Sequence, residues 1–165
     1  MSFLKKEDVK SVKWVIEKFK DGSYDFWLTD LALFAESYVS QYISQHGSSN
    51  TCAIFDIDET LLSSMPLLAM HGYEFSLQQQ HDWFLEANCT LIEPIHKLYV
   101  YIESLNIPIY LITGRCETLE QATIVNLKNV GIEIDQTRLI HRPETMNNGA
   151  IFKQQTREKI LLKHQ

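Results

Sequence analysis

Cysteine is scarce in this chain: Cys52, Cys89 and Cys116 are the three among 165 residues. An odd count without close spacing argues against a disulfide framework, offers no zinc-type pattern, and favours a reducing compartment. Positive charge is also in deficit, with 15 Lys and Arg against 21 Asp and Glu and a formal net charge of −6. No basic stripe is left to follow a nucleic-acid backbone, so a nucleic-acid partner is not expected. Lys5, Lys6, Lys10 and Lys13 alternate with acids and read as a solvated helix face. No apolar run approaches the roughly 20 residues of a membrane span. Met1-Ser2-Phe3-Leu4 does not open a signal peptide, so the chain as it stands reads as cytoplasmic, and an exported form would need a leader already removed. Internal repeats and low-complexity tracts are missing too. What is present is core material: 45% of the residues are hydrophobic and 11% aromatic, enough for one packed domain at this length.

The apolar pattern changes period along the chain. Val9, Val12, Ile16 and Phe19 predict an amphipathic helix over 8–20, broken at Asp21-Gly22-Ser23. Leu28, Leu31, Ala35, Tyr38 and Tyr42 predict a second helix from Asp25 to Gln45, stopped by Gly47 in a left-handed conformation. Residues 51–55 do not alternate and read as a strand buried on both faces. Residues 61–75 are irregular. Ser76-Leu77-Gln78-Gln79 fits a capping box for a helix through Ala87. Pro94 suits the first residue of the next helix, which should bury Ile95, Leu98, Ile102 and Leu105. Residues 107–112 form a second apolar strand, 117–129 a helix with Gly131 as its stop, 137–141 a third strand, and 153–163 a last, basic helix. Strand, helix, strand, helix, strand is the order of a parallel sheet with crossover helices.

Chemistry gathers where those strands end. Phe55-Asp56-Ile57-Asp58-Glu59-Thr60 follows the first apolar run directly. It sets two carboxylates and the Thr60 hydroxyl at a strand's carboxyl end, where open α/β sheets bind ligands. One carboxylate there can attack, the other can move protons, and the pair can hold a hard cation. Helix capping is the competing account for Asp58 and Thr60, but it gives Asp56 no reason to end a buried strand. Thr113-Gly114-Arg115 follows the second strand, and its hydroxyl and glycine backbone suit an anion. A strand-to-helix turn with a capping Thr is the plainer alternative. Lys153 opens the last helix in this reading and could neutralise a phosphate; alone it would read as a surface lysine. His71, His81, His96 and His141 lack ligand spacing and read as surface or hydrogen-bonded residues. Tyr99, Tyr101 and Tyr110 read as core or boundary aromatics. Met65, Met70, Tyr73 and Phe75 suit either a pocket lining or a small core of their own.

Together these segments resemble the haloacid dehalogenase (HAD) superfamily, and within it the class B acid phosphatase and plant vegetative storage protein group. The likeness covers nearly the whole chain. Asp21-Gly22-Ser23-Tyr24 is similar to the Gly-x-Tyr stretch of that group, and residues 55–63 to its first motif. His71-Gly72-Tyr73 and Trp83 fall in an inserted cap. Leu111-Ile112-Thr113-Gly114-Arg115 is similar to the second motif, Leu139-Ile140-His141-Arg142 to the third strand, and Phe152-Lys153 with Arg157 to the third motif.

The resemblance implies an α/β fold: a HAD-like three-layer parallel sheet with helices on both faces. It divides the chain into a helical N-terminal extension over 1–50 and a core over 51–165, with a small helical cap inserted at about 61–93. It implies Asp56 as nucleophile, Asp58 as general acid and base, and Mg²⁺ held by the Asp56 carboxylate and the Asp58 backbone carbonyl. Thr113, Gly114, Arg115 and Thr60 would meet the phosphate, and Lys153 would supply positive charge. The substrate would be a small phosphate ester; a homo-oligomer is compatible with this reading. The group also carries a fourth, acidic motif of Gly-Asp-x-x-x-Asp type on a further strand. No such motif occurs up to Gln165, and Glu158 is the last acid. The expectation is therefore a fragment or truncation that binds Mg²⁺ poorly and has little or no phosphatase activity, unless Glu117 or Glu144 substitutes. The edge of the strand at 51–55 should then be covered by the N-terminal helices or by a second chain. A non-catalytic phosphate-binding or storage-like protein is the competing function. A phosphotransferase would use the same residues.

Overall fold

The computed structural model describes residues 17–71 and 76–164. Most of the helix expected over 8–20, along with Gly72, Tyr73 and Phe75, lies outside the described residues; 17–20 are helical. Helix α1 spans Ser23–His46, between Gly22 and Gly47, both at positive φ. These are positions where an L side chain is strained. The stripe that α1 buries differs from the expected one. Leu28, Ala32, Ala35, Val39 and Ile43 face the core, whereas Leu31, Tyr38 and Tyr42 point outward. The helix carries apolar residues on both sides, so periodicity alone did not decide which side packs.

Strand β1 (Ala53–Phe55) pairs in parallel with β4 (Ile109–Cys116), and β4 pairs in parallel with β5 (Leu139–Arg142), giving the order β1-β4-β5. Between β1 and β4 lie β2 (Leu62–Ser63), α2 (Met65–Met70), α3 (Leu77–Leu85), β3 (Thr90–Leu91) and α4 (Glu93–Ser104). The short strands β2 and β3 pair antiparallel and tie the two ends of the 61–93 segment together. The capping box at Ser76 and Gln79 forms in full, and Pro94 sits in the first turn of α4. A 3₁₀ turn (Glu117–Leu119) leads into α5 (Glu120–Asn129). A second 3₁₀ turn (Gln136–Arg138) precedes β5, and α6 (Gly149–Leu161) closes the described fold.

The sheet separates two apolar layers. The larger packs α1, α4 and α5 on one face through Phe55, Leu111, Leu98, Tyr99, Ile102 and Leu127. The smaller packs α6 on the other through Tyr110, Ile112, Phe152 and Ile160. Burial of the Tyr99 ring lifts its hydroxyl to about 12, since the phenolate would lose its water.

Three expectations are corrected. Residues 51–54 are only half-buried rather than enclosed on both faces. Among the described residues β1 pairs only with β4. Its other edge borders a groove of about 460 Å³ between Tyr38, Val39, Tyr42 and Ile43 of α1 and Leu161 and His164 at the end of α6; most of the first N-terminal helix expected to cover that edge lies outside the described residues. The second strand does not end before Thr113; it runs on through Cys116. The last helix begins at Gly149, so Lys153 lies in its second turn instead of opening it.

Candidate active site

Asp56 follows β1 immediately. Its Oδ1 accepts from the Ile57 amide at 2.9 Å, and its Oδ2 accepts from Lys153 Nζ at 2.6 Å. Lys153 reaches it because Asn148 caps α6, its Oδ1 taking the Ala150 and Ile151 amides at 3.1 Å each. That fixes the first turn and so the direction in which the second turn points.

Asp58 meets a different cation. Arg115 donates to its Oδ1 from Nη2 at 2.7 Å and from Nε at 3.0 Å. The Arg115 side chain is fully buried while that of Asp58 is 28% exposed, so the pair joins the core to the site. The guanidinium lies 4.0 Å over the Phe84 ring and also reaches Thr123 Oγ1 and Cys89 Sγ. Asn126 of α5 pins Cys89 by both backbone groups. Burial raises the Cys89 thiol despite the nearby Arg115 charge. The Thr113 hydroxyl donates to Asp58 Oδ2 at 3.4 Å and accepts from the Arg115 amide at 3.1 Å. Asp56, Asp58, Thr113 and Lys153 are thus brought together just past the end of β1, with Thr113 supplied from within β4 and Lys153 from α6. A Cβ placed on Gly114 would meet nothing within 4 Å, so room remains beside its backbone for an anion. Arg115 is placed otherwise than expected: its guanidinium serves Asp58 and the core rather than the open side. Thr60 lies in the turn after Asp58, its amide donating to the Ile57 carbonyl.

Several participants escaped the sequence reading. Glu59, at φ 54, accepts from the Ser64 amide at 2.7 Å and the Ser64 hydroxyl at 2.6 Å. It thereby clamps the turn behind Asp58; an acid followed by Ser63-Ser64 was the only hint. Tyr24 is held up mainly by burial, with the Glu59 carboxylate adding to the shift. His141, expected at the surface or hydrogen-bonded, is instead buried, its Nε2 has no partner among the described residues, and burial lowers its pKa. Arg142 donates from Nε to the Gly114 carbonyl at 3.0 Å.

Among the described residues no group of three His, Cys, Asp or Glu side chains converges as a metal centre. Glu144 accepts the Thr118 hydroxyl at 2.9 Å, and hydrogen bonds from Cys116 and Thr118 lower its pKa. The donor chemistry at Asp56 and Asp58 is all oxygen. That suits a hard cation which keeps several waters and takes one or two protein ligands.

A parallel sheet with an Asp-x-Asp turn after one strand, a Thr-Gly pair within the next and a helix-borne lysine beside them is the arrangement that the sequence resemblance implied. The chain belongs to the HAD superfamily, subfamily IIIB (acid phosphatase), whose pattern matches residues 10–164. It is 34% identical over 92 residues to acid phosphatase 1 of Solanum lycopersicum, covering 54% of this chain and 36% of that protein. It is 30% identical over 115 residues to vegetative storage protein 1 of Arabidopsis thaliana, covering 67% of this chain and 42% of that one. The class C acid phosphatase from Bacillus anthracis superposes with a TM-score of 0.80 at 19% identity, over 95% of this chain and 64% of that structure, a likeness of fold. The chain spans less than half the length of the curated relatives it matches. Among the described residues no helix is long and apolar enough to cross a membrane.

Proposed function

We propose that this chain hydrolyses small phosphate monoesters through a phosphorylated Asp56. The observation that carries the reading is the Asp56–Lys153 contact at 2.6 Å beside the Thr113–Asp58 pair. A strand-end carboxylate matched by one cation, with a second carboxylate two residues further on, has the parts for nucleophilic attack and proton transfer.

In the proposed reaction an Asp56 carboxylate oxygen forms a bond to phosphorus as the ester P–O bond breaks. Asp58 gives its proton to the departing oxygen. Asp58 then takes a proton from water, whose oxygen attacks phosphorus and breaks the bond to Asp56, releasing phosphate. Thr113 and the Gly114 amide hold phosphate oxygens, and Lys153 offsets negative charge on phosphate and nucleophile alike. The Asp56 carboxylate and the Asp58 backbone carbonyl would hold Mg²⁺. When bound, it supplies charge screening between the anionic ester and the anionic nucleophile. Arg115 works through Asp58, fixing where that carboxyl points.

A phosphate-release assay with p-nitrophenyl phosphate and added Mg²⁺ tests the reading. Asp56→Asn should abolish turnover, because an amide cannot form the acyl-phosphate. Asp58→Asn should slow it by about 10²–10⁴-fold while substrate still binds. Full activity in Asp56→Asn would overturn the proposal. Phosphate binding without turnover in the unaltered protein would favour the storage-like alternative, which the similarity to a vegetative storage protein also supports.

A further inference from the structure

The β4–β5 ladder contains an irregularity that the reaction described above does not use. Ile112 pairs with Ile140, and the next matched pair is Cys116 with Arg142. Three residues of β4, Thr113, Gly114 and Arg115, therefore stand against one of β5, His141. A bulge of this kind takes backbone groups out of ladder register and re-aims the side chains it carries. Here it carries the whole Thr-Gly-Arg motif. The Gly114 carbonyl, set in that bulge, accepts from Arg142 Nε at 3.0 Å. A second nitrogen of the same guanidinium, Nη1, donates to the Met146 carbonyl.

We propose that Arg142 is a positioning residue that sets the phosphate-side motif and ties it to the lysine helix. The peptide unit is planar, so holding the Gly114 oxygen also sets the direction of the Arg115 N–H. That N–H donates to Thr113 Oγ1 at 3.1 Å, and the same hydroxyl donates to Asp58 Oδ2 at 3.4 Å. One chain of contacts thus runs from Arg142 through the Gly114–Arg115 peptide and the Thr113 hydroxyl to Asp58. The other arm acts on the loop before α6. Met146 sits two residues ahead of Asn148, which caps the helix that presents Lys153 to Asp56. Arg142 is half-buried, with both arms turned onto main-chain carbonyls. A rigid fork can serve two carbonyls at once; the ammonium of lysine is a point charge that cannot reproduce it.

The catalytic consequence rests on the phosphatase reading, whereas the bracing geometry does not, so the test has two arms. In the first, Arg142→Ala and Arg142→Lys are made in the full chain and assayed on p-nitrophenyl phosphate. kcat should fall about 10²-fold in both, the scale of a misplaced reacting group, with a smaller change in KM. Added guanidinium should restore part of kcat in Arg142→Ala, while the same concentration of sodium chloride should not. In the second arm, hydrogen exchange is followed by mass spectrometry without substrate. Arg142→Ala should speed exchange in segments 113–116 and 146–153 and leave 95–102 of α4 unchanged. Wild-type kcat with wild-type exchange in Arg142→Ala overturns the proposal. So does a uniform rise in exchange with a lowered melting temperature, which would make Arg142 a general stabiliser. Should the unaltered protein show no turnover, the phosphatase reading fails and the exchange arm still decides the role of Arg142.

Discussion

Asp56 and Asp58 have one residue between them and meet different cations: Lys153 at 2.6 Å and Arg115 at 2.7 Å. Lys153 comes from a helix end and is partly exposed, whereas Arg115 is wholly buried. The first carboxylate therefore faces the open side with a single, partly exposed ammonium. The second is held by a fixed fork that stacks on Phe84. This difference in surroundings underlies the separate roles proposed for them. His141 offers a test at the same scale. Burial lowers its pKa from 6.5, and the Arg115 charge lowers it further, while Glu120 and Asp58 oppose the shift. Below the unfolded value the unfolded chain binds a proton that the folded chain refuses. The contribution is therefore complete above about pH 6.5 and is lost as pH falls toward the lower, folded value. Urea midpoints measured from about pH 7.5 down to about pH 5 should drop in the unaltered protein. They should drop less in His141→Gln, which has no ring to protonate; equal slopes would show that His141 does not titrate between the two states.

Helix α6 shows how much one element does for the site. Its cap, Asn148, holds two amides, and the turn so fixed delivers Lys153 to Asp56. Asn148→Ala should cost about 0.5–2 kcal/mol in denaturant unfolding, the usual loss for such a cap. An unchanged midpoint would mean that packing of Phe152 and Ile160 alone sets the helix. The sequence already contained the capping box at Ser76, a helix opening at Pro94 to within one residue, the glycine stops at 47 and 131, and the Asp-x-Asp turn at the end of β1, because each is a local signal. What it hid was non-local. The start of α6 depends on an asparagine inside a loop. The bulge in β4 has no period of its own. Strands β2 and β3 are two residues each, too short to show alternation. The buried stripe of α1 was chosen by α4 and the sheet, between two apolar faces that look alike in sequence. Arg115 reads as a ligand-facing residue until Phe84, Thr123 and Asp58 are seen around it.

At the scale of the molecule, the described residues form two apolar layers that clamp a three-stranded sheet and leave polar groups at one end of it. The groups proposed to hold a cation are one carboxylate, Asp56, whose two oxygens already accept from the Ile57 amide and Lys153, and one backbone carbonyl, that of Asp58. Mg²⁺ asks for near-octahedral oxygen ligation and gives up water reluctantly, so this donor set should bind it weakly. Titration calorimetry should show a shallow isotherm, and phosphate release should be slow and rise with Mg²⁺. A sharp, tight isotherm would mean that a further acid completes the site, with Glu117 and Glu144 the first to substitute. The central claim is the phosphorylated carboxylate, and acid-quench trapping reaches it even when turnover is slow. The protein is mixed with p-nitrophenyl phosphate and Mg²⁺, quenched in acid, digested, and mapped by mass spectrometry. The account predicts one added phosphoryl group, confined to the peptide that holds Asp56 and missing in Asp56→Asn. Phosphate release with Asp56 unmodified at every quench time, or a phosphoryl group on any other residue, would contradict it.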